Sequence, residues 1–192
     1  MAHERSCVES ERRRTRIVVL VLASGRGERF AASGGQGSKL QAMLGGRPVL
    51  ERTLDAVRAS GLPWHLEDAG HPGMGDSIAA AVCATRPADG WLVLPGDLPL
   101  VQPASLRAVA DALGAHPVVV PVVQGQRGHP VGFAADCGEA LAALSGPRGA
   151  AGIVAAHGAF ELPLTDVGCI TDIDTVADLA VAQARLRDAE QS

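Results

Sequence analysis

A glycine-rich stretch, Leu22-Ala23-Ser24-Gly25-Arg26-Gly27, runs into Glu28-Arg29-Phe30, and a lysine stands a little further on at Lys39. Glycines let backbone N–H groups come close to phosphate oxygens, and Arg26 and Lys39 add full positive charge. The spacing is not that of a Walker A loop, because no Gly-Lys-Ser/Thr follows at the required distance. It is not a dinucleotide fingerprint either, because the third glycine is missing. A surface turn with solvated cations would need neither feature; glycines and cations together favour phosphate binding.

Four further groups could do chemistry. In Leu94-Pro95-Gly96-Asp97-Leu98-Pro99 a carboxylate follows an apolar run, with Gly96 beside it. If that run is a strand of an open α/β sheet, Asp97 sits where such sheets bind ligands and can reach a hard cation such as Mg²⁺. Pro99 and Pro103 lie between it and the next helix, so it is too early to be that helix's cap. In Thr171-Asp172-Ile173-Asp174-Thr175, alternation points Asp172 and Asp174 the same way if a strand continues there. One of them then completes a metal site with Asp97, or Asp174 or Thr175 caps the last helix. Arg127 and His129, around Gly128, are either structural or contacts for an anionic second substrate. Gly73-Met74-Gly75-Asp76-Ser77 caps a helix, and free N–H groups there, with Gly75 and Ser77, can also hold a ribose or base.

The elements that must position these groups alternate in type. Ile17 to Leu22 is a continuous β-branched run, read as a strand covered on both faces. Pro48 opens an amphipathic helix that Gly61 ends. A short strand lies within 62–67, a helix over 78–84, a central strand over 91–95 and a helix from Pro103 to about Leu113. Strands at 116–123 and 129–133 flank Gln124–Gly128 and predict a hairpin-like excursion. Two short helices fall near 137–144 and 149–157, strands near 160–164 and 169–173, and a last helix over 175–187. Strands alternating with helices imply a mostly parallel, doubly wound α/β sheet, and the hairpin adds an antiparallel excursion.

The chain has 192 residues, enough for one domain with a real core, read as residues 17–192 behind a disordered basic tail at 1–16. Aromatics are 3% against 47% hydrophobic, so the core is aliphatic; with a formal charge of −4, this argues against a nucleic-acid reader. The cysteines at 7, 83, 137 and 169 have no metal-site spacing, which fits reduced thiols in the cytoplasm. No run approaches the ~18 apolar residues of a membrane span, and the seven-residue run at 17–23 is too short to be a signal peptide's partner to the basic stretch before it.

In this order, the motifs resemble the MobA-like nucleotidyltransferases, and within them the molybdenum cofactor cytidylyltransferases. The resemblance rests on Leu22–Phe30, Lys39-Leu40, Gly73–Ser77, Pro95–Pro99, Arg127-Gly128-His129-Pro130-Val131 and Asp172–Thr175. It implies a three-layer α/β/α, Rossmann-like fold and transfer of a nucleotide, CMP from CTP, to a phosphorylated acceptor, molybdopterin, with pyrophosphate released. It implies Mg²⁺ on Asp97 with Asp174 or Asp172, the triphosphate on the loop with Arg26 and Lys39 as catalytic cations, and the acceptor beside Arg127 and His129. Only about a dozen residues separate Gly61 from Gly73, where the family has a strand, a helix and another strand; the sheet is therefore expected to lack one edge strand–helix unit. The alternatives are another acceptor, such as a sugar phosphate or phospholactate, with GTP in place of CTP, or a non-catalytic chaperone that carries the cofactor to a molybdoenzyme.

Overall fold

The computed structural model describes residues 15–25 and 27–190. Strand β1 (Ile17–Leu22) leads to helix α1 (Glu28–Ala32), a 3₁₀ turn at Lys39–Gln41 and a small ribbon of β2 (Met43–Leu44) and β3 (Arg47–Pro48). Helix α2 (Val49–Ser60), β4 (Trp64–Glu67), α3 (Met74–Thr85), β5 (Gly90–Pro95) and α4 (Pro103–Ala112) follow. The second half holds β6 (Val118–Val123), β7 (Gln126–Arg127), β8 (Val131–Ala134), α5 (Gly138–Ala142), α6 (Ala151–His157), β9 (Phe160–Pro163), a 3₁₀ turn at Val167–Ile170 and α7 (Val176–Glu190). The main sheet runs β4-β1-β5-β8-β6-β7, with β9 also on β6. It is a mixed, mostly parallel sheet flanked by helices.

The continuous apolar run of β1 has a direct physical consequence. All six of its residues are buried. Ile17, Val19 and Val21 enter one core with Leu54 and Val57 of α2 and Leu106 and Val109 of α4. Val18, Leu20 and Leu22 enter a second core with Ile78 and Val82 of α3, Leu141 of α5 and Ile153 of α6. Because successive side chains alternate across a strand, a strand with no polar position needs helices on both faces. A third cluster, with Phe30, Leu44, Val49, Ile173 and Ala182, packs α7 beside the ends of β1 and β5.

The expected antiparallel excursion is present. Strand β8 runs against both β5 and β6, with Val93 opposite Val131 and Val118 opposite Phe133. Gln124 and Gly125 carry φ of 53° and 79° and turn β6 into β7, as a two-residue hairpin turn requires. Since β8 enters the sheet at the end where β5 leaves it, the residues just before β8 lie beside Asp97. On the other side the sheet ends at β4, and only residues 68–73 lie between β4 and α3.

Three expectations are corrected. Residues 169–173 are not a strand: Cys169 N–H bonds Asp166 C=O, Thr171 N–H bonds Gly168 C=O and Ile173 N–H bonds Asp97 C=O, so no ladder forms. Helix α3 begins at Met74 rather than Ile78, which places Gly75, Asp76 and Ser77 inside its first turns. Of the expected tail, residues 1–14 lie outside the described residues, but Arg16 is anchored: its N–H donates to Asp89 Oδ2 at 2.7 Å and its guanidinium to Pro87 C=O at 2.6 Å. Among the described residues, no helix is long and apolar enough to cross a membrane.

Cys83 is exposed while Cys137 and Cys169 are buried, and burial pushes the Cys169 thiol up to about 12. Only thiolate alkylates. Native labelling with iodoacetamide at pH 8 followed by peptide mapping should therefore modify Cys83 and spare Cys137 and Cys169 until denaturant is added.

Candidate active site

Three segments distant in sequence meet where β1 and β5 end. The Lys39 ammonium donates to Asp97 Oδ2 at 2.6 Å and to Asp174 Oδ1 at 2.7 Å. These side chains are only 12–16% exposed. Arg29 reaches the other oxygen of Asp174 at 2.6 Å from solvent. Burial opposes the charge on Lys39, but the charges and hydrogen bonds of the two carboxylates outweigh it and hold its pKa above the usual lysine value. Burial also raises the Asp172 pKa, helped by the negative charges of Asp174 and Asp97. Asp172 thus stands beside the pair without joining the ion pair.

Backbone contacts fix each member. Gly96 N–H donates to Leu22 C=O at 2.9 Å, and the buried Thr53 hydroxyl donates to Gly96 C=O at 2.9 Å. A Cβ on Gly96 would stand 2.9 Å from the Leu50 side chain and 3.2 Å from Leu22 C=O, so only glycine lets β1 and β5 close this tightly ahead of Asp97. Asp97 C=O accepts from Ile173 N–H at 3.0 Å, which brings the 172–174 segment alongside. Thr175 and Asp178 cap α7 reciprocally: Thr175 Oγ1 accepts from Asp178 N–H, and Asp178 Oδ2 accepts from Thr175 N–H. The cap is therefore made by Thr175 with Asp178, and the Asp174 side chain faces Lys39 instead.

His129 sits at the entry to β8. Its N–H donates to Cys169 C=O at 2.9 Å, and a Cβ on Gly128 would stand 2.4 Å from that same oxygen. Burial lowers the ring's pKa against the opposing charge of Asp97 and a hydrogen bond to Val93 C=O, so the ring is neutral near pH 7. Arg127 is paired with Glu161 at 2.8 Å, but both are more than half exposed, and such a pair is easily released to another anion.

These groups line one cavity of about 680 Å³, the size of a small-ligand site. Of the residues singled out in the sequence, Leu22, Ser24, Gly25, Gly27, Lys39, Ser77, Gly96, Asp97, Arg127, His129, Asp172 and Asp174 border it. Arg26 lies outside the described residues. Ala23 is absent from the wall; its N–H donates to Glu67 C=O at 2.8 Å and ties the loop to β4. The reading of Gly75 as a free N–H donor is corrected. Its N–H is taken by Gly146 C=O at 2.8 Å, and a Cβ there would stand 2.8 Å from Ser145 C=O, so Gly75 seats a loop rather than a ligand.

Sequence reading missed Arg29 and the group around Glu67. The Glu67 carboxylate is nearly buried and lies 3.2 Å from His71 and 3.4 Å from His65. His71 forms part of the cavity wall. The available signal was an acid at the end of a short strand with histidines two residues before and four after it. No group of three or more His, Cys, Asp or Glu side chains forms a ready metal site among the described residues. A metal could still use fewer protein ligands together with substrate oxygens. Asp97 Oδ1 fits that need: it is buried and has no hydrogen-bond partner.

Residues 56–160, more than half of the chain, match the MobA-like NTP transferase domain, and the chain belongs to that family. A curated 2-C-methyl-D-erythritol 4-phosphate cytidylyltransferase of Frankia casuarinae is 36% identical over 131 residues, covering 56% of this chain and 48% of that protein. The match thus spans about half the length of that relative. The crystal structure of Rv0371c from Mycobacterium tuberculosis superposes with a TM-score of 0.74 at 25% identity, covering 88% of this chain and 98% of that one. A structure of the same protein in complex with manganese gives a TM-score of 0.70 at 24% identity, covering 88% and 99%.

Removing the Lys39 charge leaves the part-buried Asp97 carboxylate unpaired and Asp174 with Arg29 alone. Lys39→Met should cost on the order of 3 kcal/mol in urea unfolding. Millimolar Mn²⁺ should restore part of that loss; unchanged stability without metal would show that the ion pair does not form.

Proposed function

We propose that the chain is a nucleotidyltransferase that moves a nucleotide, CMP from CTP, onto a phosphorylated acceptor, molybdopterin, and releases pyrophosphate. One observation carries the reading: Lys39, Asp97 and Asp174 converge beside a glycine-rich loop at the C-terminal ends of adjacent parallel strands. That is where open α/β sheets bind phosphorylated ligands. Membership of the NTP transferase family supports the donor, and the name of the Frankia relative supports cytidine as its base. The Arg127-Gly128-His129-Pro130 segment supports molybdopterin.

An acceptor phosphate oxygen attacks the α-phosphorus in line, forming one P–O bond as the bond to the β-phosphate oxygen breaks. The electron pair leaves on pyrophosphate. A phosphate nucleophile is already ionised near neutral pH, so no general base is needed. The chain's work is positioning and charge stabilisation. Backbone N–H groups of Ser24, Gly25 and Gly27, which border the cavity, serve the triphosphate. Lys39, and Arg26 of the same glycine-rich stretch by its charge, neutralise charge on the α-phosphoryl and the leaving group. Arg127 exchanges Glu161 for the acceptor's anion. Asp97, with Asp174 or Asp172 assisting, would hold Mg²⁺, which would supply charge neutralisation to the phosphates. The Frankia relative's name gives a second acceptor class, a polyol phosphate.

Pyrophosphate release should be measured with CTP and GTP, each with molybdopterin and with polyol phosphates. CTP with molybdopterin should turn over fastest, and Asp97→Asn should lower that rate by roughly 10³-fold with the fold intact by circular dichroism. Release with a polyol phosphate alone would reassign the acceptor. Wild-type rates in Asp97→Asn would remove Asp97 from the chemistry.

A further inference from the structure

Glu67 closes β4 with a side chain only 9% exposed, and among the described residues no lysine or arginine pairs with it. Its carboxylate is shared instead by two histidines and a backbone group. His71 Nε2 lies 3.2 Å from Oε1, His65 Nε2 lies 3.4 Å from Oε2, and Ala69 N–H donates to Oε1 at 3.2 Å. The backbone of Glu67 is engaged as well. Its C=O accepts from Ala23 N–H at 2.8 Å and from the Ser24 hydroxyl at 3.4 Å, so the residue that holds the histidines also holds the start of the glycine-rich loop.

These contacts fix where the ring protons sit. A carboxylate only accepts hydrogen bonds, so each histidine donates from Nε2. In a neutral imidazole the other nitrogen, Nδ1, then carries the lone pair. Of the two rings, only that of His71 borders the cavity. Its Nδ1 has no hydrogen-bond partner among the described residues and, unlike His129 Nδ1, is not buried. The cavity wall therefore carries one open acceptor whose polarity Glu67 sets.

The strand order β4-β1-β5-β8 lays the parts of the cavity in a row. Lys39 and Asp97 occupy the middle, and Arg127 stands at the β8 end. The β4 end contributes His71, Pro72, Gly73, Met74 and Ser77 to the wall, with no lysine or arginine. Met74 is 43% exposed there, a large apolar side chain left uncovered beside a polar one. Phosphates are drawn to the cations of the other two parts. An apolar surface next to a single placed acceptor suits a flat base with a polar edge.

We infer that His71, oriented by Glu67, reads the base of the donor nucleotide by accepting a hydrogen bond from an exocyclic amino group, and so selects cytosine against uracil. Cytosine presents an amino donor where uracil presents a carbonyl oxygen. Against uracil, two acceptors would face each other and both stay unpaired. His71 is the residue that touches the nucleotide, and Glu67 is a positioning residue. The inference deepens the transferase reading, on which it rests for the cavity's ligand.

The test uses the full chain at pH 8 with Mg²⁺ and with CTP and UTP analogues whose α,β-bridge cannot be cleaved. Calorimetry on the wild type should show the CTP analogue bound roughly 10–100-fold more tightly. Nitrogen-15 NMR should show the His71 ring protonated on Nε2 alone. His71→Phe should bind both analogues alike. Glu67→Gln, whose amide can donate to the ring, should move the proton to Nδ1 and reduce the preference for CTP. His65→Gln, on the same carboxylate but outside the cavity wall, should keep that preference. Equal binding of the two analogues by the wild type, or a His71 ring protonated on Nδ1, overturns the inference whether or not any variant folds. So does a wild type that separates CTP from its 2′-deoxy form but not from UTP, since the ring would then read the ribose. Selective binding without pyrophosphate release from CTP with any acceptor would overturn the transferase reading and leave base recognition standing. Pyrophosphate release with unselective binding would do the reverse.

Discussion

The ammonium of Lys39 ties together three segments that are 58 and 135 positions apart in sequence, with donor–acceptor distances of 2.6 and 2.7 Å. Two carboxylates brought this close, at 14% and 16% side-chain exposure, would repel strongly without it. The lysine lets Asp97 and Asp174 sit side by side at the mouth of the sheet, and the surrounding structure is arranged to hold that meeting. Gly96 closes β5 onto β1, Asp97 C=O receives Ile173 N–H, and the Thr175–Asp178 cap starts α7 immediately after Asp174. The pair is thus a structural clasp as well as a candidate catalytic centre.

An ion pair of this kind is replaceable in a way an apolar core is not. Phosphates arriving with a cation offer Lys39 new anionic partners and offer the carboxylates a new positive one. The clasp can exchange partners without leaving any charge unpaired at the end of the process. That property suits a site through which charged substrate and charged product must both pass. It also separates the chain into a fixed part, the two cores on either side of β1 and β5, and a polar rim whose pairs, Arg29–Asp174 and Arg127–Glu161, are open to solvent.

Much of this was legible in the sequence because single residues dictated it. Six apolar residues without a polar break in β1 required a layer on each face. Pro48 and Gly61 bounded α2, and the Gly96-Asp97 step after an apolar run placed a carboxylate at a strand end. Other features were hidden for definite reasons. Cys169, Thr171 and Ile173 are buried at every second position, as residues on one face of a strand would be. Their N–H groups nevertheless bond locally and to Asp97 C=O, so the alternation reflects a coiled path beneath the site rather than a ladder. Gly75 looked like an open helix start because nothing in sequence announces that Gly146, some seventy residues on, fills it. The Glu67–His71 contact depends on how residues 68–73 return from the sheet edge, which local pattern does not encode.

The central claim is that this clasp is the triphosphate site, and direct binding tests it best. Calorimetric titration of the full chain with a non-cleavable CTP analogue should give saturable one-site binding that strengthens when Mg²⁺ or Mn²⁺ is added. In Lys39→Gln the affinity should fall by at least about tenfold, the equivalent of about 1.4 kcal/mol. Equal affinity in the wild type and Lys39→Gln, or binding indifferent to divalent metal, would contradict the account.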